Sequence, residues 1–331
     1  MLYLQGLQQL QLLEKSLLNH LPESLKVYGT VFHMNQGNPF KLKALVDKWP
    51  DFNTLVIRPE EQVYGTVFHM NQGNPFKLKA LVDKWPDFNT LVIRPEEQEM
   101  TDDLDHYTNT YQIFSKDPKN CQEFLSSPEV INWKQHLQIQ SLQASLDKVI
   151  KNLVAVHLGQ VKHTQCFLYL IQDTAKKLTP SLLDGKNSPP NGYKPKSLNQ
   201  EMFKPASLDI THAALVNKFW YFGGNERSQR FIERCIRTFP SFCLLGPEGT
   251  PVSWSMMDQT GELRIGATVP KYRGQGLLYH IACCQIQTLE KLGFPLYAHV
   301  SKVNHMAQRL SSRLRHVPMP CDWNQWNCVP L

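Results

Sequence analysis

At 331 residues the chain is long enough for two ordinary domains and needs no disulfide or metal staple to build a core. Hydrophobic residues at 42% and charged residues at 19% describe a folded chain, and no run approaches the roughly 20 apolar residues of a membrane span. The net charge of +6 is too mild and dispersed to indicate nucleic acid, although it is compatible with an anionic small ligand.

Leu7, Leu10, Leu13, Leu17 and Leu21 recur at helical spacing and predict an amphipathic first helix. It holds no Arg, and Lys15 and Lys26 are matched by Glu14 and Glu23, so a packed helix is favoured over an Arg-rich transit segment. Residues 27–62, VYGTVFHMNQGNPFKLKALVDKWPDFNTLVIRPEEQ, then recur without a change as residues 63–98. Two copies do not make a solenoid, whose stacked units number three or more with atypical ends.

Each copy is expected to read strand–helix–strand: VYGTVFHM, then NPFKLKALVDKW with Asn38 and Pro39 at a helix start, then FNTLVIRP. A βαβ-like unit has one natural place in a sheet, so the copies must compete for it, extend the sheet, or loop one out. A single-copy chain would have 331 − 36 = 295 residues and the same charge, because the repeat's own charges cancel.

An acidic loop at Asp102, Asp103 and Asp105 follows, then helices expected around 119–125, 128–155 and 165–178. The stretch TPSLLDGKNSPPNGYKP, with Pro189–Pro190, Asn191–Gly192 and Pro195, disfavours regular structure and reads as a linker. The expected organisation is an αβ region over 1–178, a linker over 179–199 and a C-terminal domain over 200–331. Beyond the linker a helix is expected near Thr211–Trp220 and another over Ser228–Thr238. The second carries Phe231, Ile232, Cys235 and Ile236 on one face and a solvated Arg230, Arg234, Arg237 stripe on another.

SFCLLG, PVSWSMMD and ELRIGATVP, joined by the turns PEGT and QTG, predict a three-stranded antiparallel meander. KYRGQGLLYHIACCQIQTLEKLG then reads as a Gly-containing loop running into a long helix, followed by the strand PLYAHV and a helix over Asn304–Leu314. The fold class is α+β. Eight cysteines show no C-x-x-C spacing, which predicts reduced, mostly buried thiols and a reducing compartment.

Chemistry concentrates where the meander meets the long helix. Arg273, Gly274, Gln275, Gly276 and Leu277 leave a strand and open a helix, so successive backbone N–H groups converge at the positive end of a helix dipole. The glycines allow a pyrophosphate close to the backbone and Arg273 adds a fixed charge; a plain two-glycine turn is the alternative reading. This region resembles the GNAT acyltransferase superfamily, whose coenzyme A loop reads Q/R-x-x-G-x-G/A. Arg273 and Gly276 match, and Leu278 stands where the final Gly or Ala is expected. Asn304 and Ala307 resemble the N-x-x-A start of that superfamily's next helical motif, which adds Asn304 to the implied coenzyme A-binding set. Ser311 takes the place of a Tyr that protonates the leaving thiolate in many members.

Over nearly the whole chain, VYGTVFH, NPF, LVDKWPDFNT, MTDDLDHYTNTYQI, NKFW, FGGNERSQRFIERCI, LLGPEGTPV and WNQWNCVPL resemble the mammalian glycine N-acyltransferase family, whose members carry the 36-residue unit once. The resemblance implies transfer of an aromatic or medium-chain acyl group from coenzyme A to glycine in the mitochondrial matrix. Acyl-CoA is then a co-substrate, with no metal and no resident cofactor, in a protein expected to be monomeric. The chemistry asks for a base, because glycine arrives largely as an ammonium and must lose a proton before attacking the thioester. Glu262, on the strand leading into the loop, meets that requirement, and the Glu of this Q-T-G-E segment is the family's proposed base. Arg264, two residues on, would hold the glycine carboxylate or pair with Glu262. Arg234 is a family-supported residue with a structural role favoured over substrate contact. The rivals are a glutamine-using paralogue and a non-catalytic coenzyme A-binding protein.

Overall fold

The computed structural model describes residues 2–4, 7–18, 42–46, 55–59, 63–71, 73–85, 87–171, 202–292 and 296–331. Backbone proximity divides the chain into Met1–Tyr64 and Gly65–Leu331. The expected linker at 179–199 lies outside the described residues; the division at Tyr64 and Gly65 falls inside the repeat, at the start of its second copy.

In the first unit, β1 (Leu2–Leu4) and α1 (Leu7–Leu18) precede β2 (Leu42–Val46) and β3 (Leu55–Pro59). The helix is the one the leucine spacing predicts, with Leu13 buried and Leu12 exposed; Leu21 lies outside the described residues. The strands form an antiparallel sheet in the order β1-β2-β3, with Leu42 opposite Pro59 and Leu2 opposite Val46.

The second unit opens inside α2 (Val63–Met70), followed by β4 (Leu78–Val82) and β5 (Thr90–Pro95). The second copy therefore reads helix–strand–strand, not strand–helix–strand. Asn74 decides the second of these changes: it takes a left-handed φ of 49° and its side chain bonds both the N–H and the carbonyl of Leu78. Asn–Pro thus makes a turn into a strand instead of a helix start. The Leu-Lys-Ala-Leu-Val that follows pairs with Thr90–Pro95 as a hairpin, Leu78 opposite Pro95.

Next come β6 (Thr110–Ser115), α3 (Gln122–Ser126), β7 (Leu137–Ser141), α4 (Asp147–Val156) and β8 (Gly159–Leu170). The helix expected over 128–155 is a strand followed by a shorter helix. Leu-Gln-Ile-Gln alternates at the strand period and is buried on both faces, while Val149, Ile150, Leu153 and Val154 follow at the helical one. The helix expected from 165 is β8, whose Cys166, Leu168 and Tyr169 are buried. The C-terminal half supplies β9 (Lys204–Ala206), α5 (Ala213–Phe219), α6 (Glu226–Thr238), β10 (Phe242–Leu245), β11 (Pro251–Met257) and β12 (Leu263–Thr268). It ends with α7 (Leu277–Lys291), β13 (Tyr297–Ser301), α8 (His305–Arg313) and β14 (Val317–Pro330).

Two sheets organise this unit, and the architecture is α+β. One has the order β12-β11-β10-β9 and contains the expected meander. The other, β13-β8-β14-β7-β6-β5-β4, interleaves β13 and β14 with strands from the region before residue 178, and only its β6–β7 pair is parallel. Tyr111, Ile139, Leu146, Ile150 and Trp326 form the core beneath the larger sheet. Leu244, Val252, Tyr272, Leu277 and Ile281 join the smaller sheet to α7. Each sheet ends in a strand, β12 or β13, that borders the site.

Candidate active site

The loop between β12 and α7 has the backbone the sequence asks for. Gly274 and Gly276 take φ of 76° and 78°, and an added Cβ at either would meet open space, so conformation and not room is what requires glycine there. Gly276 caps α7, whose first intrahelical bond runs from His280 N–H to the Gly276 carbonyl at 3.1 Å. The N–H groups of the first turn, starting at Leu277, lack intrahelical acceptors and form the positive end of the dipole. Arg273 is exposed beside them, its Nε donating to the Thr268 carbonyl at 3.1 Å. Gln275 sits half-buried between the two glycines. Asn304 caps α8, its Oδ1 accepting from Ala307 N–H at 3.1 Å, which gives the N-x-x-A pattern a local structural cause.

Glu262 lies one residue before β12 and is fully buried. Its Oε1 sits 2.5 Å from His299 Nδ1 on β13, and its Oε2 is buried with no partner among the described residues. The His299 ring stacks on Trp323, centroids 3.8 Å apart and planes 7° apart, which fixes the imidazole against the carboxylate. Glu262 thus joins the bordering strands of the two sheets, and one of its oxygens has an unmet capacity for a proton or a donor.

The turn that delivers Glu262 is fully buried and fully braced. Gly261, with φ of 76°, lets its N–H close onto the Asp258 carbonyl at 2.9 Å, and Asp258 N–H reaches the Glu262 carbonyl at 3.2 Å. Asp258 Oδ1 accepts from Thr260 N–H at 2.9 Å and Thr260 Oγ1 at 2.6 Å. Tyr297 donates its hydroxyl to the Thr260 carbonyl at 2.5 Å. Burial first, then the charges of Glu262 and Asp258, push the Tyr297 phenol well above its ordinary range and keep it a donor.

Arg264 is brought to this cluster, and its partner is Asp258, at 2.7 Å, not Glu262. Strand alternation does not relate residues 262 and 264, because Glu262 belongs to the turn. Just beyond, β12 carries a bulge with Ile265 at φ of 56°. Burial disfavours the Arg264 charge, yet Asp258 and then Glu262 outweigh it and hold the guanidinium above its ordinary value. Arg234, on α6, pairs with Glu99 at 2.9 Å and lies over the Phe76 ring at 4.4 Å, a structural arrangement.

Sequence reasoning missed Asp258, Tyr297, His299 and Trp323. Asp258 precedes the QTG turn, and Tyr297 and His299 lie within PLYAHV, so all three were open to inspection, but the approach of β12 to β13 is a long-range event. A cavity of about 420 Å³ lined by Lys79, Arg94, Glu97 and Gln135 includes none of the expected site residues. A slot of about 10 Å³ beside Arg234 and Gln259 has room for roughly one water. Among the described residues no group of three or more His, Cys, Asp or Glu is placed to hold a metal ion, and no helix is long and apolar enough to cross a membrane.

Comparison with known proteins decides what this arrangement belongs to. A family model described as aralkyl acyl-CoA:amino acid N-acyltransferase matches residues 1–63 and again 61–240, and the model of its C-terminal region matches 242–330. The chain belongs to this family of acyl-CoA:amino acid N-acyltransferases. It is 62% identical over 331 residues to the glycine N-acyltransferase-like protein Keg1 of Rattus norvegicus, covering all of both chains. It is 60% identical to glycine N-acyltransferase of Homo sapiens, again with full coverage of both. A crystal structure of a Drosophila protein shares its fold with a TM-score of 0.62 at 15% identity, over 81% of this chain and 89% of that one. For this family, acyl-CoA and an amino acid are the co-substrates.

Proposed function

We propose that the chain is an acyl-CoA:glycine N-acyltransferase that transfers an aromatic, benzoyl-like or medium-chain acyl group to glycine, with Glu262 as general base. The observation that carries this reading is the buried Glu262 carboxylate, one oxygen on His299 and the other unpartnered, in a chain of this family. An amine that arrives protonated needs an acceptor held beside the thioester carbon, and an unsatisfied interior carboxylate oxygen is suited to take the proton.

The amine nitrogen then attacks the thioester carbonyl, forming the C–N bond. Collapse of the tetrahedral adduct breaks the C–S bond, and the second amine proton passes to the departing thiolate, so coenzyme A leaves as thiol with N-acylglycine as the other product. Gly274, Gln275, Gly276 and Leu277 would present backbone N–H groups to the pyrophosphate, with Arg273 as fixed countercharge. Asn304 would act by fixing the start of α8. Arg264 and Arg234 act within the protein in this reading, holding the base turn and α6 through Asp258 and Glu99.

Such a product suits detoxification of aromatic acids, and the relatives' likeness makes the mitochondrial matrix the proposed compartment. The 36-residue unit is proposed to be needed once, the other copy being additional to the family pattern. Thiol release from benzoyl-CoA tests the acceptor: release with glycine supports the reading. Release with glutamine alone indicates a glutamine-using enzyme, and release with neither indicates a binding protein.

A further inference from the structure

The buried turn at Asp258–Gly261 has a second support that lies outside the meander and the loop. A buried turn must find a donor for each carbonyl or bear the cost of an orphan. Asp258 is served by Gly261, Thr260 by Tyr297, and Glu262 by Asp258. The carbonyl of Gln259, a residue 4% exposed, is served from 190 positions away by Nε2 of His69, on α2. His69 is itself 2% exposed, and its ring sits edge-on to Phe239 at 5.3 Å. Phe239 in turn stacks on Phe76 at 5.5 Å. Burial lowers the imidazole below its ordinary range, against the Gln259 bond and Asp258, which raise it. A neutral ring whose Nε2 faces a carbonyl carries its proton there, leaving Nδ1 bare, as it is found.

We infer that His69, supplied by the second copy of the repeat, is a positioning residue for Glu262. Its Nε2–H fixes the Gln259 carbonyl, and with it the turn from which Glu262 reaches His299. The inference rests on the reading of Glu262 as base and adds to it a residue and a copy. His33 is the counterpart in the first copy, with identical neighbours from Val27 to Gln62, and lies outside the described residues. Chemically identical substitutions at the two positions therefore separate the contact from the local sequence.

The experiment is thiol release from benzoyl-CoA with glycine, in the full chain, for His69→Phe, His69→Gln, His33→Phe, Glu262→Gln and the double variant Glu262→Gln with His69→Phe. Phenylalanine keeps the ring packing and removes the donor; glutamine returns a donor near the Nε2 position. His69→Phe is expected to lower kcat about tenfold with KM for benzoyl-CoA unchanged. His69→Gln should recover most of the loss, and His33→Phe should match the parent. The double variant should be no slower than Glu262→Gln alone, because a residue that acts through Glu262 has nothing left to position.

Losses that multiply in the double variant, equal losses at His33 and His69, or a parental kcat for His69→Phe would each overturn the inference. If His69→Phe does not fold, His69→Asn, whose shorter amide cannot reach the carbonyl, is read by the same criteria. Failure of the base reading looks different: Glu262→Gln then retains the parent's turnover, whatever His69 does.

Discussion

The two copies of the repeat have one sequence and two sets of surroundings. In both, the same residues form an antiparallel hairpin in the same register, Leu42 opposite Pro59 and Leu78 opposite Pro95. What differs is the strand that each hairpin borrows. In the first copy β1 pairs with β2, the leading strand, whereas in the second β6 pairs with β5, the trailing strand. Hairpin register is thus a local property of Leu-Lys-Ala-Leu-Val and Leu-Val-Ile-Arg-Pro, while the choice of covered edge belongs to the rest of the chain. The second copy leaves β4 as the sheet's outer strand, where Lys79, paired with Glu97, supplies the charge that discourages edge-to-edge association.

This contrast can be broken most forcefully in the core. Ile93, on β5, is fully buried, and Ile57 is its counterpart. Ile93→Ala should destabilise the chain by about 2–5 kcal/mol, seen as a lower urea midpoint and parallel loss of thiol release on warming. Ile57→Ala should leave the thermal profile of thiol release unchanged; equal sensitivity at both positions would mean that the two copies are equally engaged with the catalytic body. Outside the repeat, Arg273→Ala should weaken benzoyl-CoA binding by about 1.5–3 kcal/mol, through one lost charge-assisted phosphate contact. By calorimetry the loss should shrink for a pantetheine thioester that lacks the phosphates.

The next effect is a pH slope. Burial lowers His316 to about 4, and both its ring nitrogens are buried without partners among the described residues. Its folded pKa lies below the unfolded value of 6.5, so the unfolded chain binds the extra proton between these limits. Its stability contribution is therefore complete above pH 6.5 and is lost as pH falls toward 4, at no more than about 1.4 kcal/mol per pH unit. His316→Leu should flatten that part of the acid unfolding profile measured by circular dichroism. The smallest effect concerns the repeat itself. Removing 27–62 or 63–98 yields the same 295-residue chain, which should keep thiol release within about twofold, roughly 0.4 kcal/mol in barrier. It should also be more soluble than the parent. Lost activity would show that both copies are required.

Much of the C-terminal half was legible because its signals are local. The meander, the Arg273–Gly276 loop, α7, β13 and α8 follow from short alternations, Gly turns with positive φ and one long apolar period. The errors lie where tertiary context outweighs propensity. VYGTVFHM has the β-branched and aromatic content of a strand, yet as α2 it buries Thr66 and His69, three apart on one helical face. Leu-Gln-Ile-Gln and Leu-Asp-Lys-Val-Ile-Lys-Asn-Leu-Val are separated only by Ser141–Ser145, with no Gly or Pro between them, so two periods read as one long helix. At the site, Glu262 was legible through its Q-T-G-E motif. Its setting was not, since His299, Tyr297 and His69 reach it across 37 to 190 positions of chain, and no local pattern encodes such a meeting.

In the proposed reading the second copy acts on one carboxylate, Glu262, through the turn that His69 supports. The direct measurement is the turnover of Glu262→Gln with benzoyl-CoA and glycine at pH 7 and pH 9.5, with coenzyme A binding followed in parallel. The account predicts a loss of about 10²–10⁴ in kcat at pH 7 with binding nearly intact. At pH 9.5 the gap should narrow, because solvent then supplies the free amine. An equal loss at both pH values in a folded protein, or no loss at pH 7, would contradict it.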